Sequence, residues 1–141
     1  MVTGYLLDTC AVSEWVRPRP NPGLVRWLDE ADEDRLHLSV LTLGEIRTGI
    51  ERLDDSVRKR QLVEWLTVAL VERFSGRLLP VDETVAQMWG RVLGRAHSAG
   101  RAIAPADALL AATAESYELE VVTRNVRDFE AVGATVVCPW E

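Results

Sequence analysis

Short apolar runs of strand length alternate with segments of helical periodicity along almost the whole chain, and few architectures bury both kinds of face together. Tyr5, Leu6 and Leu7 form a continuous apolar run ended by Asp8, so residues 4–8 read as a buried strand. Residues 9–16 suit a short helix that Arg17-Pro18-Arg19-Pro20 cannot extend, because each proline lacks a donor and restricts the residue before it. Asn21 then reads as an N-cap with Pro22 at the first helical position, opening a helix to about Glu30. A second strand is expected over 36–40, followed by a helix marked by Leu43, Ile46 and Ile50. Val57, Leu62, Leu66 and Leu70 predict one long amphipathic helix over 56–74, with Gly76 as its stop.

The same alternation continues to the end. Residues 78–81 form a third strand candidate, which Pro80 confines to a sheet edge or a strand end. Asp82 is placed to cap a helix whose apolar residues Val85, Met88, Trp89, Val92, Leu93 and Ala96 recur at helical spacing, with Gly100 at its end. Pro105 opens an alanine-rich helix to about Tyr117, and residues 121–123 and 135–137 supply two more short strands. The expected fold is an α/β sandwich with a mainly parallel sheet, and the absence of repeats or linkers predicts one domain over 1–141.

Charge narrows the function. A net charge of -6 argues against a general polyanion binder, so any contact with nucleic acid must be local. The basic residues are almost all arginine, Lys59 being the sole lysine, and they are either solvated or suited to phosphate recognition. Cys10 and Cys138 carry no metal-ligand spacing and fit a reducing, cytoplasmic setting. No apolar stretch approaches membrane-span length, so no membrane partner is expected.

The chemistry then falls to carboxylates. Asp8 follows a strand, so it either faces the crevice at the carboxyl edge of a parallel sheet or caps the next helix. Glu45 sits at the margin of an apolar helix face, either looking into a cleft or solvated beside Arg47. Asp107 shares a helix face with Leu110, Ala111 and Ala114, and needs either the helix N-terminus or a cation as partner. Asn125 and Asp128 follow the strand over 121–123, where they complete an acidic cluster or serve as loop and cap residues. Three such carboxylates in one domain suit a hard cation such as Mg²⁺ or Mn²⁺. His37 and His97 read as structural or exposed, Cys10, directly after Asp8-Thr9, as either a neighbour of the site or a small buried apolar residue, and the five tryptophans as core or interface anchors.

Together, Leu6-Leu7-Asp8-Thr9, Leu38-Ser39 leading to Glu45-Ile46-Arg47-Thr48-Gly49, Ala104-Pro105-Ala106-Asp107-Ala108 and Val122-Thr123-Arg124-Asn125 resemble the VapC/FitB branch of the PIN-domain proteins. Arg17-Pro18-Arg19-Pro20-Asn21, Leu79-Pro80 before Asp82, and Pro139-Trp140 point to its FitB-like group. The resemblance implies a three-layer α/β/α PIN-domain sandwich and a metal-dependent endoribonuclease, the toxin of a type II toxin-antitoxin pair. It implies Mg²⁺ or Mn²⁺ held by Asp8, Glu45 and Asp107, with Asn125 as a fourth catalytic position and Thr9, Ser39, Thr123 and Asp128 as accessory candidates. A homodimer, a cognate antitoxin whose C-terminal segment fills the active-site groove, and operator DNA reached only through that antitoxin are implied as well. This chain departs from the pattern at Cys10, where asparagine is usual, and at Asn125, where aspartate is common. The first removes or replaces a support of Asp8; the second weakens any second metal unless Asp128 substitutes.

In the mechanism that follows, Asp8 and Asp107 hold the ion, Glu45 orients the attacking water, and the ion stabilises charge on the phosphate. A phospho-receiver domain also places acidic residues at strand ends but needs a lysine near its last strands, and Lys59 lies mid-chain. The other alternative is a PIN-fold binding module that keeps its antitoxin interface and has lost activity through Cys10 and Asn125.

Overall fold

The computed structural model describes residues 4–141; residues 1–3 of the expected one-domain span lie outside the described residues. Five parallel strands, β1 (Tyr5–Leu7), β2 (Leu36–Ser39), β3 (Leu78–Leu79), β4 (Glu120–Val122) and β5 (Val136–Val137), form one sheet in the order β3-β2-β1-β4-β5. The central strand β1 aligns Tyr5 with Leu36 on one side and with Glu120 on the other. The chain therefore winds outward from β1 through β2 to β3, then returns to the other side of β1 for β4 and β5. The reversal falls between β1 and β4, and in open α/β sheets the crevice beyond the strand ends at such a point is where ligands bind.

Alternate strand residues face opposite layers, and each layer buries a different kind of side chain. Leu6 and Val121 pack with α6 (Glu83–Ser98), α7 (Pro105–Ser116) and α8 (Val126–Ala131), through Val92, Ala96, Ala108, Ala111 and Phe129. Leu7 and Val122 face the other layer, where α1 (Thr9–Ser13), α2 (Pro22–Glu30) and α3 (Val40–Glu51) contribute Val12, Leu24, Leu28, Ile46 and Ile50, α4 (Val57–Glu64) adds the partly buried Leu62, and the residues flanking α5 (Val71–Arg73) add Leu66, Leu70 and Phe74. The result is the expected three-layer sandwich.

The elements begin where their caps allow. Asn21 accepts from the Gly23 and Leu24 amides with Pro22 at N1, Ser39 accepts from Leu41, Ser56 from Lys59, and Asp82 from Val85. Each carboxylate, hydroxyl or amide oxygen satisfies a helix amide that has no partner within its own helix. Pro80 directly follows β3, which is an edge strand of two residues, as a residue without a donor requires.

Two expectations need correction. The helix expected over 56–74 is not uniform: α4 passes through a π-helical segment, Trp65–Leu70, into α5. The helix expected over 9–16 is α1 followed by a 3-10 turn, Glu14–Val16. Asp128, read from the sequence as a helix cap or a member of the acidic cluster, lies inside the first turn of α8, and Asn125 stands at the N-cap position without a side-chain capping bond.

Candidate active site

Asp8 is both of the things its sequence position allowed. It is the N-cap of α1, its Oδ1 accepting the Thr9 amide at 2.7 Å, and it also stands at the carboxyl end of β1 beside the switch point. It is only 8% exposed, and the β4 end supplies its second support: the buried Thr123 hydroxyl donates to Asp8 Oδ2 at 2.7 Å and accepts the Asn125 amide at 2.9 Å. Thr123 thus ties the ends of two adjacent strands together through one hydroxyl.

Cys10 also touches this carboxylate, its thiol donating to Asp8 Oδ2 at 3.5 Å. Burial pushes the thiol pKa up to about 11, with the adjacent Asp8 charge adding to the effect, so the proton needed for donation stays on sulfur at neutral pH. Cys10 is therefore a neighbour of the site rather than simply a small apolar residue. The donor implied missing beside Asp8 is replaced by a weaker one.

Glu45, half-buried on α3, is reached from the opposite direction. The Thr9 hydroxyl donates to its Oε1 at 2.6 Å, so one residue at the head of α1 contacts two of the site carboxylates, Asp8 through its amide and Glu45 through its hydroxyl. Arg47, the neighbour that a solvated Glu45 would have paired with, instead bridges to Glu51 at 2.8 Å. Beside Glu45 and Thr9 lies a groove of about 220 Å³, lined largely by apolar residues that include Ile46, Ile50, Leu62 and Trp65.

Asp107 occupies the third position of α7, where it benefits from the helix N-terminus. Despite this, its pKa is raised to about 6, first because burial disfavours the charged form and then because the Asp8 and Glu45 charges repel it. The Asn125 amide opposes the shift by donating to Asp107 Oδ2 at 3.0 Å. The same Nδ2 donates to Asp128 Oδ2 at 3.0 Å, so Asn125 links the two aspartates. Asp128 also pairs with Arg101 at 3.2 Å, and these two contacts hold its carboxyl below the usual range.

The structure thus brings Asp8, Glu45, Asp107, Asn125, Thr9, Thr123 and, at the rim, Asp128 to one edge of the sheet. Ser39 takes no part in this hydrogen-bonded set; it is fully buried and its hydroxyl caps α3. His37 lies against the Arg35 carbonyl, and His97 is exposed on α6. All the donors the carboxylates offer are oxygens, which suits a hard divalent ion. Among the described residues no three His, Cys, Asp or Glu side chains close into a formed metal cage; the carboxylates interact through their fields while Thr9 and Asn125 hold two of them.

Sequence reasoning missed two neighbours. Glu14 is nearly fully buried, accepting the Asn21 amide at 3.1 Å and Arg17 at 3.5 Å, which fastens the turn after α1. A carboxylate inside the apolar stretch before a proline-rich turn was the available signal. Arg101 has no such mark, because its contact with Asp128 spans 27 residues.

A parallel sheet with carboxylates at its switch point and an acidic residue on α7 defines a class, and the chain belongs to the PIN-domain family, whose model matches residues 5–134. Toxin FitB of Neisseria gonorrhoeae is 39% identical over 135 residues, covering 96% of this chain and 97% of that protein. The VapC ribonuclease Y4jK of Sinorhizobium fredii is 30% identical, with 96% and 97% covered. The crystal structure of FitAcB from Neisseria gonorrhoeae superposes with a TM-score of 0.92 at 39% identity, covering 97% of this chain and 99% of that one.

Proposed function

We propose that this chain is the endoribonuclease toxin of a type II toxin-antitoxin pair, cutting cellular RNA by phosphodiester hydrolysis at the site built from Asp8, Glu45, Asp107 and Asn125. The observation that carries the reading is the convergence of Asp8, Glu45 and Asp107 at the switch point of the sheet, where Thr9 bridges Asp8 to Glu45 and both carboxylates add to burial in raising the Asp107 pKa. Such a cluster is costly unless it works. Support also comes from relatives named as a toxin and as a VapC ribonuclease that match nearly end to end.

Mg²⁺ or Mn²⁺ is the proposed cofactor, with Asp8, Glu45 and Asp107 as the side chains that would hold it. Such an ion supplies Lewis-acid stabilisation of charge on phosphate oxygens and lowers the pKa of bound water. The protein's own part is positioning. Thr123, the Thr9 amide and Cys10 fix Asp8. Thr9 holds one Glu45 oxygen and leaves the other for a water. Asn125 orients Asp107, whose proton uptake near pH 6 competes with cation binding as the solution becomes acidic.

A cognate antitoxin is the proposed partner, with operator DNA reached through it; the structure of FitAB bound to a DNA fragment is 37% identical to this chain with a TM-score of 0.91. The apolar groove beside Glu45 is a suitable seat for an antitoxin segment, since a chain lying there covers the site. A homodimer and a cytoplasmic location complete the reading. Among the described residues no helix is long and apolar enough to cross a membrane.

One observation favours a second reading, a binding module of weakened activity: Asn125 contributes no negative charge and occupies Asp107 Oδ2. Induced expression in a bacterial host distinguishes the two. Growth should stop with the wild-type chain, continue with Asp8→Ala, and recover when the antitoxin is co-expressed. Equal growth of wild type and Asp8→Ala, at equal protein level, would favour the binding module.

A further inference from the structure

The nuclease reading leaves an electrostatic problem, since a polyanion must approach an acidic cluster on a chain of net charge -6. Hydrogen bonds lead from that cluster to a cation. Asp107 Oδ2 accepts from Asn125 at 3.0 Å, Asn125 Nδ2 also donates to Asp128 at 3.0 Å, and Asp128 Oδ1 accepts from Arg101 Nη2 at 3.2 Å. The Arg101 side chain remains 42% exposed. It spends one nitrogen on Asp128, leaving the rest of a planar, five-donor fork toward solvent. The neighbouring arginines are exposed as well, Arg124 over the Trp140 ring at 6.0 Å and Arg127 on α8, and Arg101 differs from them in its guanidinium bond to Asp128.

We propose that Arg101 is a substrate-contacting residue that binds a backbone phosphate of single-stranded RNA beside the bond being cut, an inference resting on the nuclease reading above. Asp128 then holds the guanidinium at the rim of the site, and is not a substitute for the carboxylate absent at Asn125. Phosphate is a strong acceptor for a guanidinium already positioned by one carboxylate, and the contact falls on a cation at the rim of the acidic site. It reads no base, so it contributes affinity and register across sequences.

The test is binding of a short fluorescent single-stranded RNA of mixed sequence, measured with chelator present so that no cutting intervenes, across a series of salt concentrations. Arg101→Ala is expected to weaken binding several-fold for all sequences and to make log affinity against log salt shallower by about 0.7. Arg101→Lys should recover the slope, and Arg60→Ala, which removes an equal charge from α4, should leave both quantities near wild type. Wild-type binding and slope in Arg101→Ala would overturn the proposal, as would a loss in Arg60→Ala as large as that in Arg101→Ala. The nuclease reading fails separately. Binding through Arg101 without cutting under any metal would overturn that reading and leave the Arg101 contact standing; cutting with unchanged binding in Arg101→Ala would do the reverse.

Discussion

Asp8 and Asp107 belong to one site, yet the fold treats them oppositely. Asp8 is sunk at a strand end and receives a backbone amide, a buried hydroxyl and a thiol. Asp107 stands at the head of a helix packed on one face of the sheet against β1 and β4, receives one side-chain amide, and is pushed up to about 6 by burial and by its acidic neighbours. The difference separates two jobs of a site carboxylate. One is an anchor of the fold that also faces the crevice, while the charge of the other is disfavoured by burial and by its acidic neighbours, a cost that the proposed cation would offset.

Substitutions should affect the two carboxylates alike in activity and differently in stability. Asp8→Ala and Asp107→Asn should each reduce RNA cleavage by roughly a hundredfold or more, since each removes a ligand of the proposed ion and the charge stabilisation that depends on it. Single-turnover cleavage under saturating Mg²⁺ measures this. In urea unfolding the two should diverge. Asp8→Ala is expected to cost about 2–3 kcal/mol, because it strands the buried Thr123 hydroxyl and removes the α1 cap. Asp107→Asn should leave stability at neutral pH unchanged or slightly higher.

Thr123→Val tests the link between the two strand ends. Removing a hydroxyl that donates to Asp8 and accepts from the Asn125 amide should cost about 1–2 kcal/mol and lower kcat more than it raises KM. A valine variant as stable and active as wild type would show that Asp8 is held without it.

The pH dependence of the metal-free protein is a smaller effect with a definite sign. Because the Asp107 pKa is raised from an ordinary 3.8 to about 6, the folded state binds that proton more tightly than the unfolded chain does. This contribution to stability is fully present below about pH 4 and is lost as pH rises through 6. The loss is on the order of 1 kcal/mol after allowing for partial solvent exposure. Asp107→Asn should flatten unfolding midpoints between pH 4 and 6 relative to wild type; parallel profiles would contradict the assignment of the shift to Asp107. Smallest of all, Cys10→Ala should cost about 0.5 kcal/mol, since it removes a long thiol bond to a carboxylate that keeps two better ones.

Much of this was legible in the sequence because it depends on local rules. Apolar runs ending at Asp8 and before Asn125 locate strand ends, and Asn21-Pro22, Asp82 and Pro105 open helices whose caps or first residues are unambiguous. The site positions followed from the strand-helix order together with the family resemblance. What stayed hidden depends on the third dimension. Neither the Thr9 hydroxyl on Glu45 nor the Arg101 contact with Asp128 has a sequence mark, since each joins residues far apart in the chain. The π-helical segment was equally invisible: buried Leu66 and Leu70 keep a four-residue spacing that an unbroken α-helix also satisfies. Cys10 had two readings in the sequence, because a thiol in an apolar stretch usually packs without bonding, and only its proximity to Asp8 makes it a donor at the site.

The carboxylates at the β1 and β4 switch point are proposed to form a metal-dependent ribonuclease centre. This is tested most directly by incubating antitoxin-free protein with pooled tRNA and rRNA in Mg²⁺, in Mn²⁺ and in chelator, beside a folded Asp107→Asn variant. The account predicts cleavage with either ion, none with chelator, and none by the variant. Cleavage that persists in chelator, or at the wild-type rate in Asp107→Asn, would contradict it.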